Sequence, residues 1–311
     1  MEKSIKVFAP ASVTNVSCGF DVFGFALTEP GDELVLRIKN RKGLHISSIT
    51  GDNGALPTTP EQNTAGKALI SMMNELDFKM GIEIDIHKKM PLGSGLGSSA
   101  ASAVAAVFAL NEILEKPFTK KELIKYAIEG EKLTSGGAPH ADNVTASMLG
   151  GFTAVKSILP LDVFKIPTTL KLFAAVVHPQ IEIKTADARK SLKKEVLLKN
   201  AVTHWANTAA FVYALMTGDV KLLSRSIDDV IIEPQRAGLI PKFFEAKEAA
   251  LRGGAIGSGI SGSGPSIFSL FDDFNTAHQI GSELKKIYEQ INLRCDLYIS
   301  AVNYDGAKVL G

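Results

Sequence analysis

The sequence predicts a two-domain α+β protein, on three observations. At 311 residues and 45% apolar content, the chain exceeds the usual single-core size and can fill two cores. Residues 33–38 (E-L-V-L-R-I) and 82–87 (I-E-I-D-I-H) alternate apolar and polar side chains, the period of half-buried strands. The second half reads β-α-α-α-β-α-β, the order of an antiparallel or mixed sheet covered by helices.

The elements follow in chain order. After strand 33–38, a helix is expected over Thr64 to Leu76, then strand 82–87 and a second helix from Ser98 to Glu115. A third begins at Thr119, where T-K-K-E is a capping box that satisfies free amides at a helix start; Gly136 and Gly137 end it. F-T-A-V after Gly151 is a strand, and the following P-L-D-V-F-K-I-P-T-T is bracketed by Pro160 and Pro167. Prolines placed so mark a boundary, which puts the domains at 1–160 and 161–311. The second domain opens with L-K-L-F-A-A-V-V, continues with helices at 199–216, 219–227 and 241–251, and closes with strand S-I-F-S-L-F, a helix over 275–290 and strand D-L-Y-I-S-A-V. No repeat or low-complexity tract interrupts it.

Charge and cysteine content narrow the partners. Lys plus Arg number 34 and Asp plus Glu 33, so no net field draws the chain to a nucleic-acid backbone or an anionic membrane. A small molecule is the expected partner. Cys18 and Cys295 are too few for a disulfide framework and lack metal spacing, as in a reducing compartment. The N-terminal segment has no signal-peptide character, and the longest apolar run, Ala103 to Leu110, is too short to span a bilayer. A cytoplasmic location is expected.

The most informative stretch is P-L-G-S-G-L-G-S-S at 91–99, directly before a long run of helix formers. A helix start leaves about four amides unpaired and carries roughly half a positive charge, which makes it an anion site. Gly93, Gly95 and Gly97 let the backbone wrap an anion closely, and the hydroxyls of Ser98 and Ser99 can donate to phosphate or ligate Mg²⁺. Lys88 and Lys89 just upstream read as the solvated end of a strand. No Walker A loop occurs, so a different phosphate loop is required. Gly257-Ser-Gly259-Ile-Ser-Gly262 matches a dinucleotide fingerprint, yet a strand and not a helix follows it, and the dinucleotide reading fails.

Three segments line up in order: P-A-S-V-T-N-V-S-C-G-F-D at 10–21, P-L-G-S-G-L-G-S-S-A at 91–100, and G-S-G-I-S-G-S-G-P-S at 257–266. Together they resemble the three motifs of the galactokinase, homoserine kinase, mevalonate kinase and phosphomevalonate kinase superfamily. N-x-x-x-G-F-D and H-A-D-N-V at 140–144 are most similar to its homoserine kinases. The resemblance implies an N-terminal domain like the second domain of ribosomal protein S5, a ferredoxin-like C-terminal domain, and an active site between them. It implies ATP on Pro91, Leu92, Gly93, Ser94, Gly95, Leu96, Gly97, Ser98, Ser99, Ala100 and Ala101, with L-homoserine as the phosphoryl acceptor. Asn15, Asp21, His140, Asp142 and Asn143 would line the substrate site from the first domain, and Thr185, Arg189, Arg236 and Gly259 from the second. An arginine fork suits the substrate carboxylate, and carboxylates or amides its ammonium.

Asp142 and Asn143 would aim the hydroxyl, with Asp142 a candidate proton acceptor. Glu131 stands near the end of its helix, where a carboxylate opposes the dipole, so with Ser99 or Ser98 it is the candidate Mg²⁺ ligand. The T-S-G-G-A-P stretch at 134–139 is one residue longer than the family pattern, which keeps Glu129 a rival. The last glycine motif would lie against the phosphate loop and complete the cleft. Two other readings stand beside this one: a sister kinase for mevalonate, phosphomevalonate or a sugar, and a silent ligand sensor on the same fold. The sensor would have lost a phosphate-loop serine or the metal carboxylate, and this chain keeps Ser98, Ser99 and Glu131. The family includes homodimers, and the sequence does not decide between one chain and two.

Overall fold

The computed structural model describes residues 3–183 and 185–310, with residues 185–187 described by their backbone alone. Its strands are β1 (Ser4–Thr14), β2 (Phe23–Lys39), β3 (Leu44–Thr50), β4 (Gly81–His87), β5 (Phe152–Ile158), β6 (Leu161–Ile166), β7 (Phe173–Pro179), β8 (Gly257–Ile260), β9 (Ile267–Phe271), β10 (Cys295–Ala301) and β11 (Lys308–Val309). The long β2 organises the first sheet. It pairs with β1 along most of its length, with β4 over residues 33–39 and with β5 over 23–25, all antiparallel. β3 adds to β4 in parallel, and β11 brings the end of the chain back to β1.

The second sheet is antiparallel in the order β10-β7-β9-β8. Numbered within that half, this is 4-1-3-2 with helices at both crossovers, the ferredoxin-like arrangement. One expectation is corrected here. Leu161–Ile166, placed in the linker by its flanking prolines, is strand β6, a hairpin partner of β5 in the first sheet; the crossing lies after Ile166. The last glycine motif begins as strand β8, Gly257–Ile260.

The helices are α1 (Thr64–Glu75), α2 (Ser98–Ile113), α3 (Lys120–Glu131), α4 (Asp142–Leu149), α5 (Thr185–Lys190), α6 (Leu198–Thr217), α7 (Val220–Ser226), α8 (Glu233–Arg236), α9 (Phe243–Arg252) and α10 (Phe274–Glu289). Local chemistry sets their starts. The Asn63 side chain accepts from the Ala65 and Gly66 amides, Thr119 and Glu122 form the expected reciprocal box, and Asp219 and Asp273 cap α7 and α10. α2 is apolar all round and buried nearly throughout, as such a helix must be. It packs on α1, α3, α4, β1 and β2. One apolar cluster joins this layer to Phe211, Leu215, Val176 and Phe268 of the second half, while a second lies between the other sheet and α9 and α10. No described helix is long and apolar enough to cross a membrane.

Candidate active site

The three motifs meet at one point. The Ser12 amide donates to the Leu96 carbonyl (3.0 Å), the Gly262 amide to the Thr14 carbonyl (2.9 Å), and the Asn15 amide group to the Gly262 carbonyl (2.6 Å). The Ser261 hydroxyl donates to the Gly95 carbonyl (2.7 Å). The last glycine motif thus lies against the phosphate loop. Only glycine permits this approach at position 95, where φ is +78° and a Cβ would strike the carbonyls of Ser261 and Gly264. Gly97, at φ +67°, turns the chain into α2 beside Ser12 and Asn143.

The motifs enclose a cleft of about 530 Å³. Two helix starts open onto it: α2 through Ser98 and Ser99, and α4 through Asp142 and Asn143. Both bring unpaired amides and the positive end of a helix dipole. Of the nucleotide residues expected, Leu92, Gly93, Ser94, Gly95, Gly97, Ser98 and Ser99 line the cleft. Pro91 does not, and Leu96, Ala100 and Ala101 are buried packing residues. Their place in the motif comes from the core beneath the loop.

On the substrate side, Asn15, Asp21, His140, Asp142, Asn143, Arg189 and Arg236 all line the same cleft. Asn15, Ser17 and Asp21 hold φ of 56°, 50° and 57°, a left-handed conformation that Asn and Asp adopt more readily than most residues. The Asn15 side chain steadies the bend by accepting from the Asp21 amide (2.8 Å). One Arg189 nitrogen, Nη2, spans both Asp21 oxygens at 2.8 and 3.0 Å and approaches His140 Nδ1 at 3.5 Å. A guanidinium only donates, so His140 Nδ1 can only accept in that approach, and His140 Nε2 is buried without a partner. Arg189 Nε and Arg236 Nε are likewise buried and unpartnered, donors left for an anion.

Of the other two expected residues, one falls elsewhere and one cannot be placed among the described side chains. Gly259 lies within β8 and faces Glu233 and Phe268, not the cleft, which is lined by Gly262 and Ser263 of the same motif. Thr185 begins α5, but its side chain lies outside the described residues.

Glu131 ends α3, buried, with Oε1 unpartnered and the Ser99 hydroxyl beside it. Its carboxyl is pushed up to about 7, first by burial and then by Asp142, against the pull of Ser99 and Lys88. Glu129 instead pairs with Lys132 at 2.6 Å and does not line the cleft. An orphaned carboxylate oxygen beside a hydroxyl is a hard-oxygen donor set that fits Mg²⁺. The described residues hold no group of three His, Cys, Asp or Glu that would form a complete metal cage; a magnesium ion here would complete its shell with water and phosphate.

The raised carboxyl has a stability consequence. Folded Glu131 keeps its proton until about pH 7, whereas the unfolded side chain releases it near 4.5. Between these values the native state binds more protons, so stability falls as pH rises, by on the order of 3 kcal/mol. Glu131→Gln is expected to exceed the wild type in stability above pH 7 and to match it below pH 4.5. Urea titrations at the two extremes measure this, and parallel pH profiles for both proteins would refute it.

Sequence reasoning missed four contributors. Ser12 donates to Asn143 Oδ1 (2.9 Å) and fixes that amide. The Phe20 ring lies under both guanidinium groups, with Arg236 Cζ at 4.9 Å and Arg189 Cζ at 5.3 Å from its centre. Both residues stand inside the first motif, which was their only signal. Lys88, expected at a solvated strand end, is instead buried, ion-paired with the equally buried Asp32 and donating to the Ser98 carbonyl (2.7 Å) and the Ser102 hydroxyl (2.8 Å).

Comparison with known proteins gives the family. The family model described as GHMP kinases N terminal domain matches residues 63–151, and that described as GHMP kinases C terminal matches 211–290. The chain is 45% identical to homoserine kinase of Chlorobium phaeovibrioides, with 99% of this chain and 100% of that protein covered. It is 36% identical to the Xylella fastidiosa homoserine kinase over 98% of this chain and 94% of the relative. The crystal structure of homoserine kinase from Cytophaga hutchinsonii superposes with a TM-score of 0.95 at 50% identity, covering 99% of this chain and 97% of that one. Mevalonate kinase of L. major shares the fold at a TM-score of 0.73 and 17% identity, over 96% of each chain. The chain belongs to the GHMP kinases, on their homoserine kinase branch.

Proposed function

We propose that this chain transfers the γ-phosphoryl group of ATP to the side-chain hydroxyl of L-homoserine, giving ADP and O-phospho-L-homoserine. One observation carries the choice of substrate: the same cleft that receives the amides of α2 also holds the unpartnered Nε groups of Arg189 and Arg236 together with Asp142 and Asp21, the latter already paired with Arg189 Nη2. Homoserine presents a carboxylate for the arginines, an ammonium for the carboxylates, and a hydroxyl for the α4 side. Full-length identity to homoserine kinases supports the same reading.

Phosphoryl transfer passes through a loose transition state, so positioning and charge neutralisation supply most of the acceleration. The amides of residues 97–99 cradle the phosphates at the α2 dipole. Asn143, fixed by Ser12, orients the acceptor hydroxyl, and Asp142 takes its proton as the new O–P bond forms and the bond to ADP breaks. Ser99 and Glu131 would hold Mg²⁺, which would supply positive charge against the charge of the phosphates. The arginines and Phe20 hold the amino acid's carboxylate at a fixed distance from this chemistry.

A coupled ADP-release assay tests the proposal with homoserine, mevalonate, galactose and shikimate in parallel. Turnover with homoserine alone is expected, with the product identified by phosphorus NMR. The deaminated analogue of homoserine, which offers Asp21 and Asp142 no ammonium, is expected to lose most of the turnover. Equal turnover of that analogue, or preference for mevalonate, would move the chain to a sister activity.

A further inference from the structure

Hydroxyl groups tie strand β1 to helix α4. The Ser147 hydroxyl of α4 donates to the Pro10 carbonyl (2.8 Å), and one turn earlier Asn143 Oδ1 accepts from Ser12 (2.9 Å). Over residues 12–14 β1 runs in even register with β2, and alternate residues of a strand share a face. Thr14 therefore follows Ser12 toward α4, whose first turn carries Asp142. Thr14 is wholly buried. Its Oγ1 makes no hydrogen bond of ordinary geometry, an uncommon state for a buried hydroxyl.

The acceptor within its reach is Asp142. Burial and the charge of Asp21 push that carboxyl up, whereas the Asn143 amide, His140 and the Thr14 hydroxyl pull it down. A hydroxyl rotates to suit its acceptor, and a donor to the ionised form acts on a carboxyl in this direction. The methyl half of the side chain gives the reason for threonine here. Thr14 pairs with Gly24 of β2, where a Cβ would stand 2.8 Å from Thr14 Cγ2 and 3.3 Å from Ala146 Cβ. The side chain missing at position 24 leaves a socket for that methyl. A β-branched residue is stiff about χ1, so a seated methyl holds the hydroxyl toward Asp142. The Thr14 carbonyl accepts from the Gly262 amide, which anchors the backbone as well.

We propose that Thr14 is a positioning residue for the proton acceptor: its hydroxyl holds one carboxylate oxygen of Asp142 and so turns the other toward the substrate hydroxyl. The proposal rests on the role given to Asp142 in the proposed reaction. In that step the substrate O–H bond breaks as the free Asp142 oxygen takes the proton, the new O–P bond forms and the bond to ADP breaks. Thr14 keeps its own proton throughout. Ser12 serves Asn143 in the same way, so β1 presents one hydroxyl to each of the two side chains that face the acceptor.

Two substitutions separate the hydroxyl from the methyl. Thr14→Val keeps the shape and removes the donor, so kcat is expected to fall on the order of 10-fold, with KM for ATP and for homoserine little changed. Its melting temperature is expected to equal or exceed that of the wild type, because an ill-satisfied buried hydroxyl has gone. Thr14→Ser keeps the donor and leaves a methyl-sized space, so most of kcat is expected to survive while the melting temperature falls. In an Asp142→Asn background, Thr14→Val is expected to lower kcat no further, since the two residues act as one unit.

Steady-state kinetics and thermal unfolding of the four variants read this crossed pattern. Wild-type kcat in Thr14→Val would overturn the proposal. So would a Thr14→Val chain less stable than Thr14→Ser, or one that loses the same factor of kcat with Asp142 as without it, since packing would then explain the effect. Wild-type turnover in Asp142→Asn alone would remove the role on which the proposal rests. The variants are compared on whichever acceptor turns over in the ADP-release assay, so a preference for mevalonate fails the homoserine reading and leaves this test intact.

Discussion

Replacing Lys88 with Met is expected to cost the protein about 3–5 kcal/mol of stability, because it strands the Asp32 carboxylate in the core without its partner. Both side chains of the pair are almost wholly inaccessible to water. Asp32 also accepts from the Lys89 amide (3.0 Å) and the Ser102 hydroxyl (3.1 Å), so the stranded charge keeps some bonds but no counterion. A fall in melting temperature on the order of 10 °C follows from that loss. The companion variant, Asp32→Leu with Lys88→Met, removes both charges and is expected to recover most of the stability, as apolar replacements of buried pairs commonly do.

Recovery of function should not follow. Lys88 Nζ holds the Ser98 carbonyl and the Ser102 hydroxyl, so it pins the first turn of the helix whose amides face the cleft. The double variant is therefore expected to keep a raised KM for ATP with KM for homoserine little changed. Scanning calorimetry and steady-state kinetics separate the two effects. A double variant with wild-type KM for ATP would show that the pair serves the core alone.

This pair also marks where the sequence stops being legible. The glycine and serine loop could be read because its chemistry is local: glycines with positive φ, then an apolar helix, lie within 20 residues. The capping box at Thr119, the alternating strands and the crossover helices are local in the same sense. Lys88 could not be placed, because its burial depends on Asp32, 56 residues away on β2, and a lysine at a strand end looks identical whether it meets water or a carboxylate. β6 was hidden by its flanking prolines, which signal a boundary locally but here bound a hairpin. Within the last glycine motif, residues 257–260 form a strand and 261–264 a turn. Both are rich in glycine, so composition could not tell that Gly262 and not Gly259 reaches the cleft. Phe20 shows the converse: it lay inside a recognised motif, but its role depends on two arginines from the other half of the chain.

Asp142→Asn is expected to lower kcat by about 100-fold or more, the usual contribution of a positioned proton acceptor, while leaving KM for ATP within a few-fold. The carboxyl is buried at the first turn of α4. Burial, and next the negative charge of Asp21, raise its pKa above the ordinary carboxylate value. Such a group accepts a proton only when ionised, so kcat should fall as pH drops through that raised pKa, at a pH where an ordinary aspartate would still be ionised. In Asp142→Asn this acid limb should vanish along with the rate. If the rate falls but the limb persists, the titrating group is another, and Glu131, raised to about 7, is the one to replace next. If turnover stays near the wild-type level, no proton is taken by Asp142; Asn143, the two helix starts and the arginines then account for catalysis by placement alone.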